Sequence, residues 1–177
     1  MLKISVIALS INNLTDARYY AALGVDWLGF NINPASDNYV TPDKLKEIID
    51  WVEGPQMMIQ EAQWNPNANE LISNSDMKIT GQLLQDQETP LIEAELLTFS
   101  KNDSSAFYHL FDSLEEWHSS NIKPTNAFIA YSGNIQDLEK QVQMEEPPGL
   151  VLYGSNEDAA GVKSFEDLDD VFDLLYP

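Results

Sequence analysis

The sequence is predicted to fold as an α/β protein, a compact (β/α)8 (TIM) barrel with some short or missing crossover helices, and three observations predict it. Apolar runs of strand length alternate with capped or amphipathic segments along the whole chain. Eight such runs can be counted. Most are continuous rather than alternating, as parallel strands covered on both faces require. An open doubly wound sheet is the alternative, because about 200 to 250 residues is typical of the barrel and this chain has 177. In either case residues 1–177 form a single domain, with no repeat, low-complexity tract or linker to divide them.

The elements follow in order. Lys3–Leu9 has a lysine followed by an apolar run, but it is short and β-branched, lacks a small-x-small cleavage site and runs into helix-capping residues. It is read as a first strand rather than a signal peptide. Trp27–Ile32 is the second strand. Thr41 then precedes Pro42, a cap followed by proline at the first helical position, and Leu45, Ile48, Ile49 and Val52 fall on one face. Gln56–Ala62 is the third strand, and Asn65-Pro66 opens a short helix ending near Ser73. Ile79–Leu84 and Leu91–Leu97 are the fourth and fifth strands, and Ala106–Phe111 the sixth. The gaps Gln85–Thr89 and Thr98–Ser105 are too short for normal helices. Ser113 to Glu116 is a capping box. Ala127–Tyr131 and Leu150–Tyr153 complete the strands. Asn134 and Ser164 open the last two helices, each with an acid three residues on, and Phe165, Leu168, Phe172 and Leu175 form the stripe of the final one.

Composition narrows the function. The 44% hydrophobic content supports a packed core. Net charge is −20, with 29 acidic residues against 9 Lys and Arg, so nucleic-acid binding is excluded and anionic substrates need a local positive field. No cysteine is present, which removes disulfides, thiolate nucleophiles and cysteine-based zinc sites. No segment approaches the ~20 apolar residues that span a bilayer. A cytoplasmic protein without membrane association, monomeric or homodimeric, is expected. No phosphate-binding glycine loop, dinucleotide fingerprint, zinc pattern or nucleophile elbow occurs.

The order of motifs resembles the phosphoribosylanthranilate isomerase family, which performs the Amadori rearrangement of tryptophan biosynthesis. That family opens K-I-C-G-I-T-N-L-x-D-A and continues G-A-D-x-x-G-F-x-F-x-P-x-S-x-R-Y-[VI]-x-P. Here Ile7-Ala8-Leu9-Ser10-Ile11-Asn12-Asn13-Leu14-Thr15-Asp16-Ala17 is followed by Gly24-Val25-Asp26-Trp27-Leu28-Gly29-Phe30-Asn31-Ile32-Asn33-Pro34-Ala35-Ser36-Asp37-Asn38-Tyr39-Val40-Thr41-Pro42. Gly81-Gln82-Leu83-Leu84 is similar to V-Q-L-H, Leu110-Phe111-Asp112-Ser113 to L-L-D-[ST], and Ala130-Tyr131-Ser132-Gly133-Asn134 to A-G-G-L-N. Gly154-Ser155-Asn156-Glu157 resembles S-G-V-E, and Gly161-Val162-Lys163 the P-G-x-K after it.

The resemblance implies a site at the C-terminal ends of the strands and shows how much of it has changed. Its catalytic cysteine base falls on Leu9, which cannot move a proton; a shifted register would place Ser5 there, an unactivated hydroxyl. Its general acid falls on Asp112. The arginine that holds the substrate carboxylate is replaced by Asn38, and Gln82 is a second candidate substrate contact. The phosphate cup maps to Ser132, Gly133, Gly154, Ser155 and Asn156, with Tyr131 and Ser132 replacing both glycines of the first turn. The family's glycine-rich loop after the sixth strand is absent.

Other groups are weaker. His109 and His118 lack ligand spacing, and neither a metal nor an organic cofactor is expected. Glu93 and Glu95 would share one face of the fifth strand and form a carboxylate pair. Asn31, Asn33, Gln60 and Gln82 would line a pocket suited to a polar, uncharged or cationic small molecule. The expected function is that of a diverged homologue whose isomerase activity is impaired or lost, with a ligand-binding or regulatory role. The alternatives are an active isomerase of phosphoribosylanthranilate or a related sugar phosphate with a rearranged acid/base site, and an acidic protein-interaction subunit docking through Ser164 to Leu175.

Overall fold

The computed structural model describes residues 1–62, 65–84, 96–101, 105–155 and 163–177. Eight parallel strands follow one another around a closed barrel: β1 (Val6–Leu9), β2 (Trp27–Asn31), β3 (Gln56–Gln60), β4 (Ile79–Leu84), β5 (Leu97–Ser100), β6 (Tyr108–Phe111), β7 (Ala127–Ala130) and β8 (Gly149–Tyr153). β8 returns to β1 in a register running from Val6 opposite Leu150 to Leu9 opposite Tyr153. This closure rules out the open doubly wound sheet. The described helices are α1 (Leu14–Ala22), α2 (Pro42–Trp51), α3 (Ala68–Ser73), α4 (Leu114–His118), α5 (Ile135–Val142) and α6 (Glu166–Leu175). Two crossover helices are short, α3 with six residues and α4 with five; of the gaps expected to lack helices, Gln85–Thr89 lies outside the described residues and the start of Thr98–Ser105 belongs to β5.

The fifth strand was expected over Leu91–Leu97 and lies instead over Leu97–Ser100. Residues 91–95, with the Glu93 and Glu95 pair, lie outside the described residues. Periodicity cannot separate two neighbouring apolar runs; packing decides, because Phe99 is the side chain that fills the barrel centre.

Inward and outward side chains alternate along each strand. Ile7, Leu9, Trp27, Met58, Leu83, Phe99, Leu110, Phe128 and Val151 form one buried cluster inside the barrel. Val6, Ala8, Leu28, Phe30, Met57, Ile59, Leu150 and Leu152 face the helices. Three inward glycines make room for the large rings. A Cβ on Gly29 would come within 2.6 Å of Leu9, on Gly81 within 2.7 Å of Trp27, and on Gly149 within 2.3 Å of Phe128.

Several residues shared with the isomerase pattern have structural work here. Gly24 ends α1 with φ of 79°, a conformation that favours glycine. The Asp26 carboxylate accepts the Val6 N–H at 2.8 Å and so ties the turn before β2 to the start of β1. Thr41 caps α2 by accepting the Lys44 N–H, with Pro42 at the first position, as its sequence predicts. Ser113 caps α4 through the Glu116 N–H, while Glu116 reaches back to the Asp112 N–H at 2.7 Å.

α1 and α6 meet through aromatic rings. Tyr19 stacks on Phe165 with centroids 3.7 Å apart, and its hydroxyl lies 3.5 Å from the Asp169 carboxylate. Burial pushes the Tyr19 phenol up to about 12, with Asp169 adding to the shift. Burial raises Tyr20 as well, and its hydroxyl donates to the Tyr153 carbonyl at 3.0 Å. The ordinary tyrosine value is about 10. A phenol whose folded value is raised leaves stability intact below pH 10 and lowers it as pH climbs from 10 through 12. Thermal melts between pH 8 and 12 are expected to show this alkaline loss, and Tyr19→Phe to make it shallower. A Tyr19→Phe profile parallel to wild type would refute the assignment.

Candidate functional site

The C-terminal ends of the strands surround a cavity of about 410 Å³. Its floor is apolar, made by Leu9, Leu83 and Leu110. Leu9 is only 2% exposed and packs into the barrel interior. Ser5 lies before β1, at the opposite end of the barrel.

Above the floor the lining turns polar. Gln60, the last residue of β3, accepts the Ser10 N–H at 2.7 Å. This bond helps hold Ser10 at φ of 58°, a left-handed conformation unusual for a residue with a side chain. Glu61 follows with φ of 56°. Its carboxylate receives the Asn31 Nδ2 at 2.7 Å on Oε1 and the Asn33 Nδ2 at 2.7 Å on Oε2. Asn31 also donates to Ser36 Oγ at 3.0 Å. Asn38 lines the same wall, 3.5 Å from the Asn12 amide.

Lys101 and Tyr153 complete the opposite wall. The Lys101 ammonium lies 2.5 Å from Asp112 Oδ1, and this hydrogen bond raises the lysine above its ordinary value. Burial raises the Tyr153 phenol; the Lys101 charge opposes the shift and Asp112 reinforces it. Asp112 itself is exposed and lines a separate cleft of about 630 Å³ between α4 and α5, reaching the mouth through Lys101.

The turn after β8 is closed from within. The Gly154 N–H donates to the Leu9 carbonyl at 2.7 Å, and the Ser155 N–H to Asp16 Oδ2 at 2.9 Å. Asp16 is fully buried and is also paired with the Lys163 ammonium. A Cβ on Gly154 would come within 2.8 Å of Asp16 and 2.9 Å of the Ser10 carbonyl, so only glycine fits. After β7, Ser132 and Gly133 are exposed, and Ser132 Oγ accepts the Asn134 N–H at 3.4 Å. Asn156 lies outside the described residues, as do Gly161 and Val162.

Gln82 does not join the mouth. Gly81 and Leu83 face the interior, so Gln82 between them points outward, where its Oε1 is buried with no partner among the described residues. His109 likewise sits on the outer face of β6, and His118 lines the α4–α5 cleft. Among the described residues no three His, Cys, Asp or Glu side chains gather as a metal site. No described helix is long and apolar enough to cross a membrane. Sequence reasoning missed Glu61, Lys101 and Tyr153. Placing the fifth strand too early left Lys101 in a connection rather than at a strand end, the position from which barrel sites are built.

The molecule is therefore a closed (β/α)8 barrel with a polar mouth over an apolar floor. Neither a protein-family model nor a curated protein matches the sequence. Solved structures do match along nearly its whole length. The phosphoribosylanthranilate isomerase of Thermus thermophilus is similar with a TM-score of 0.67 at 20% identity, over 97% of this chain and 98% of that one. The N-(5'-phosphoribosyl)anthranilate isomerase of Pyrococcus furiosus gives a TM-score of 0.63 at 13% identity, over 97% and 98%. A phosphoribosylanthranilate isomerase in complex with reduced 1-(o-carboxyphenylamino)-1-deoxyribulose 5-phosphate gives 0.61 at 12%, again over 97% and 98%. At these identities the likeness is one of fold, and it covers the barrel from end to end.

Proposed function

We propose that this chain is a diverged relative of the phosphoribosylanthranilate isomerases that no longer catalyses the Amadori rearrangement efficiently and uses the barrel mouth to bind a small polar ligand. One observation carries the reading. The position that aligns with the family's cysteine base holds Leu9, buried in the floor beside Leu83 and Leu110, and a leucine side chain cannot take a proton. The position of the substrate-clamping arginine holds Asn38, which brings no charge. Loss of one acid–base partner alone lowers such rates about 10²–10⁴-fold.

The second reading is a working isomerase with substituted chemistry. The Lys101–Asp112 pair beside Tyr153 favours it, because it places an acidic and a basic group at the mouth wall. A fluorescence assay with freshly generated phosphoribosylanthranilate separates the two. Wild type is expected to give no turnover above background. Turnover that disappears in Asp112→Asn would overturn the first reading and establish the second.

A further inference from the structure

We propose that Gln60 is the recognition group of the barrel mouth and that the ligand it selects is an uncharged polyhydroxylated molecule, monosaccharide-sized and without phosphate. The inference rests on the reading of the mouth as a binding site and names the ligand class of that site.

Three features support it. The first is a hydrogen-bond donor left over by the fold. Gln60 is 5% exposed and lines the mouth cavity. Its Oε1 accepts the Ser10 N–H at 2.7 Å. Only the oxygen of an amide can accept an N–H, so this bond fixes which way the group faces and leaves Nε2 over. Nε2 meets no acceptor among the described residues. Among those residues Gln82 Oε1 is the one side-chain polar atom sealed away without a partner, so Gln60 Nε2 opens on the cavity. An amide pinned at its oxygen and open at its nitrogen is a donor of fixed direction, which needs little ordering when a ligand arrives.

The second feature is the company that donor keeps. Ser10 and Tyr153 line the same cavity, and neither hydroxyl has a partner among the described residues. Each can both donate and accept. Burial raises the Tyr153 phenol, so it stays protonated at neutral pH. The Asn38 amide stands along the wall, and Leu9, Leu83 and Leu110 lie beneath. Neutral donors and acceptors above an apolar floor match a ring with hydroxyls at its edge and C–H groups on its face.

The third feature is that the charges at the mouth are already committed. Among the described residues lining it only Glu61 and Lys101 are ionised, and they are of opposite sign. Both Glu61 oxygens accept asparagine amides at 2.7 Å, and the Lys101 ammonium is held by Asp112. A phosphate would enter a chain of net charge −20 and compete with Asp112 for the lysine. An ammonium would have to displace the amides from Glu61. Neutral hydroxyl groups incur neither cost.

The test compares ribose, xylose and glucose with glucosamine and ribose 5-phosphate by isothermal titration at 0.15 M NaCl. Wild type, Gln60→Glu, Tyr153→Phe and Ser10→Gly are the proteins. Gln60→Glu keeps an oxygen for the Ser10 N–H and turns the Nε2 donor into an acceptor. Tyr153→Phe and Ser10→Gly remove the hydroxyls, and glycine suits the left-handed backbone at Ser10. At least one neutral sugar is expected to bind wild type at least tenfold more tightly than both charged ones. Gln60→Glu should weaken that sugar at least tenfold, and each hydroxyl variant about three- to tenfold. Thermal melts check that the variants are folded. In wild type, which needs no variant to fold, the Gln60 side-chain amide resonances should shift as the sugar is added. Tightest binding by glucosamine or ribose 5-phosphate overturns the ligand class while the mouth stands as a binding site. A neutral-sugar affinity unchanged in folded Gln60→Glu, or Gln60 amide resonances that do not move, overturns the role of Gln60. Absence of binding by all five sugars overturns the ligand class and the reading of the mouth together.

Discussion

Replacing Asp16 with alanine is expected to destabilise the folded chain by about 3–5 kcal/mol, the cost of breaking a buried charge pair by removing one partner. Asp16 is completely buried. Without it the Lys163 ammonium, whose side chain is only 10% exposed, has no counter-charge, and the Ser155 N–H loses its acceptor. Total stability of a domain is about 5–15 kcal/mol, so the variant sits near the edge of folding. Urea denaturation checks the figure. Lys163→Ala should cost a similar amount, because it leaves the carboxylate buried with the charge unpaired. Joint replacement, Asp16→Leu with Lys163→Met, should recover part of the loss but not all, since the Ser155 amide stays orphaned. A single-variant shift below about 1 kcal/mol would show that the pair is solvated in solution.

Phe99→Ala is expected to cost about 3–5 kcal/mol by a different route. The ring is fully buried at the barrel centre. It meets Trp27 edge-on at 5.0 Å and stacks on Tyr108 at 4.7 Å. The strands around it are fixed by the closed ladder, so the wall cannot collapse into the void. The resulting cavity is apolar and would stay dry. Benzene is expected to raise the melting temperature of Phe99→Ala and not of wild type. A variant that loses less than about 1.5 kcal/mol would mean that neighbouring rings refill the space.

The sequence was most readable where short-range chemistry decides. The caps at Thr41 and Ser113, the glycine at 24 and the carboxylate at 26 are local devices, and their residue types announce them. The alternation of strands and helices was equally clear, because burial on both faces leaves continuous apolar runs. The fifth strand was misplaced because its identity depends on Phe99 packing inside the barrel against Tyr108 of the next strand and against Trp27, which is far away in sequence. Gln82 was assigned to the mouth by motif, whereas a period of two sends it to the other face. Glu61 was invisible for a similar reason. Nothing in the local sequence says that Asn31 and Asn33, some thirty residues earlier, converge on its carboxylate.

The seam between β1 and β8 has a consequence for how the chain is made. β1 leaves a ribosome well before β8, one of its two neighbours in the closed barrel. The Lys3 N–H and ammonium reach still further, to the carbonyls of Leu175 and Leu174. At translation rates of about 5–20 residues per second, the first strand waits roughly 7–28 s for its partner. During that interval Val6–Leu9 presents an unpaired apolar edge, a template for pairing with the wrong chain. Yield in a cell is therefore set by protection of the nascent chain over those seconds as much as by the stability of the finished barrel.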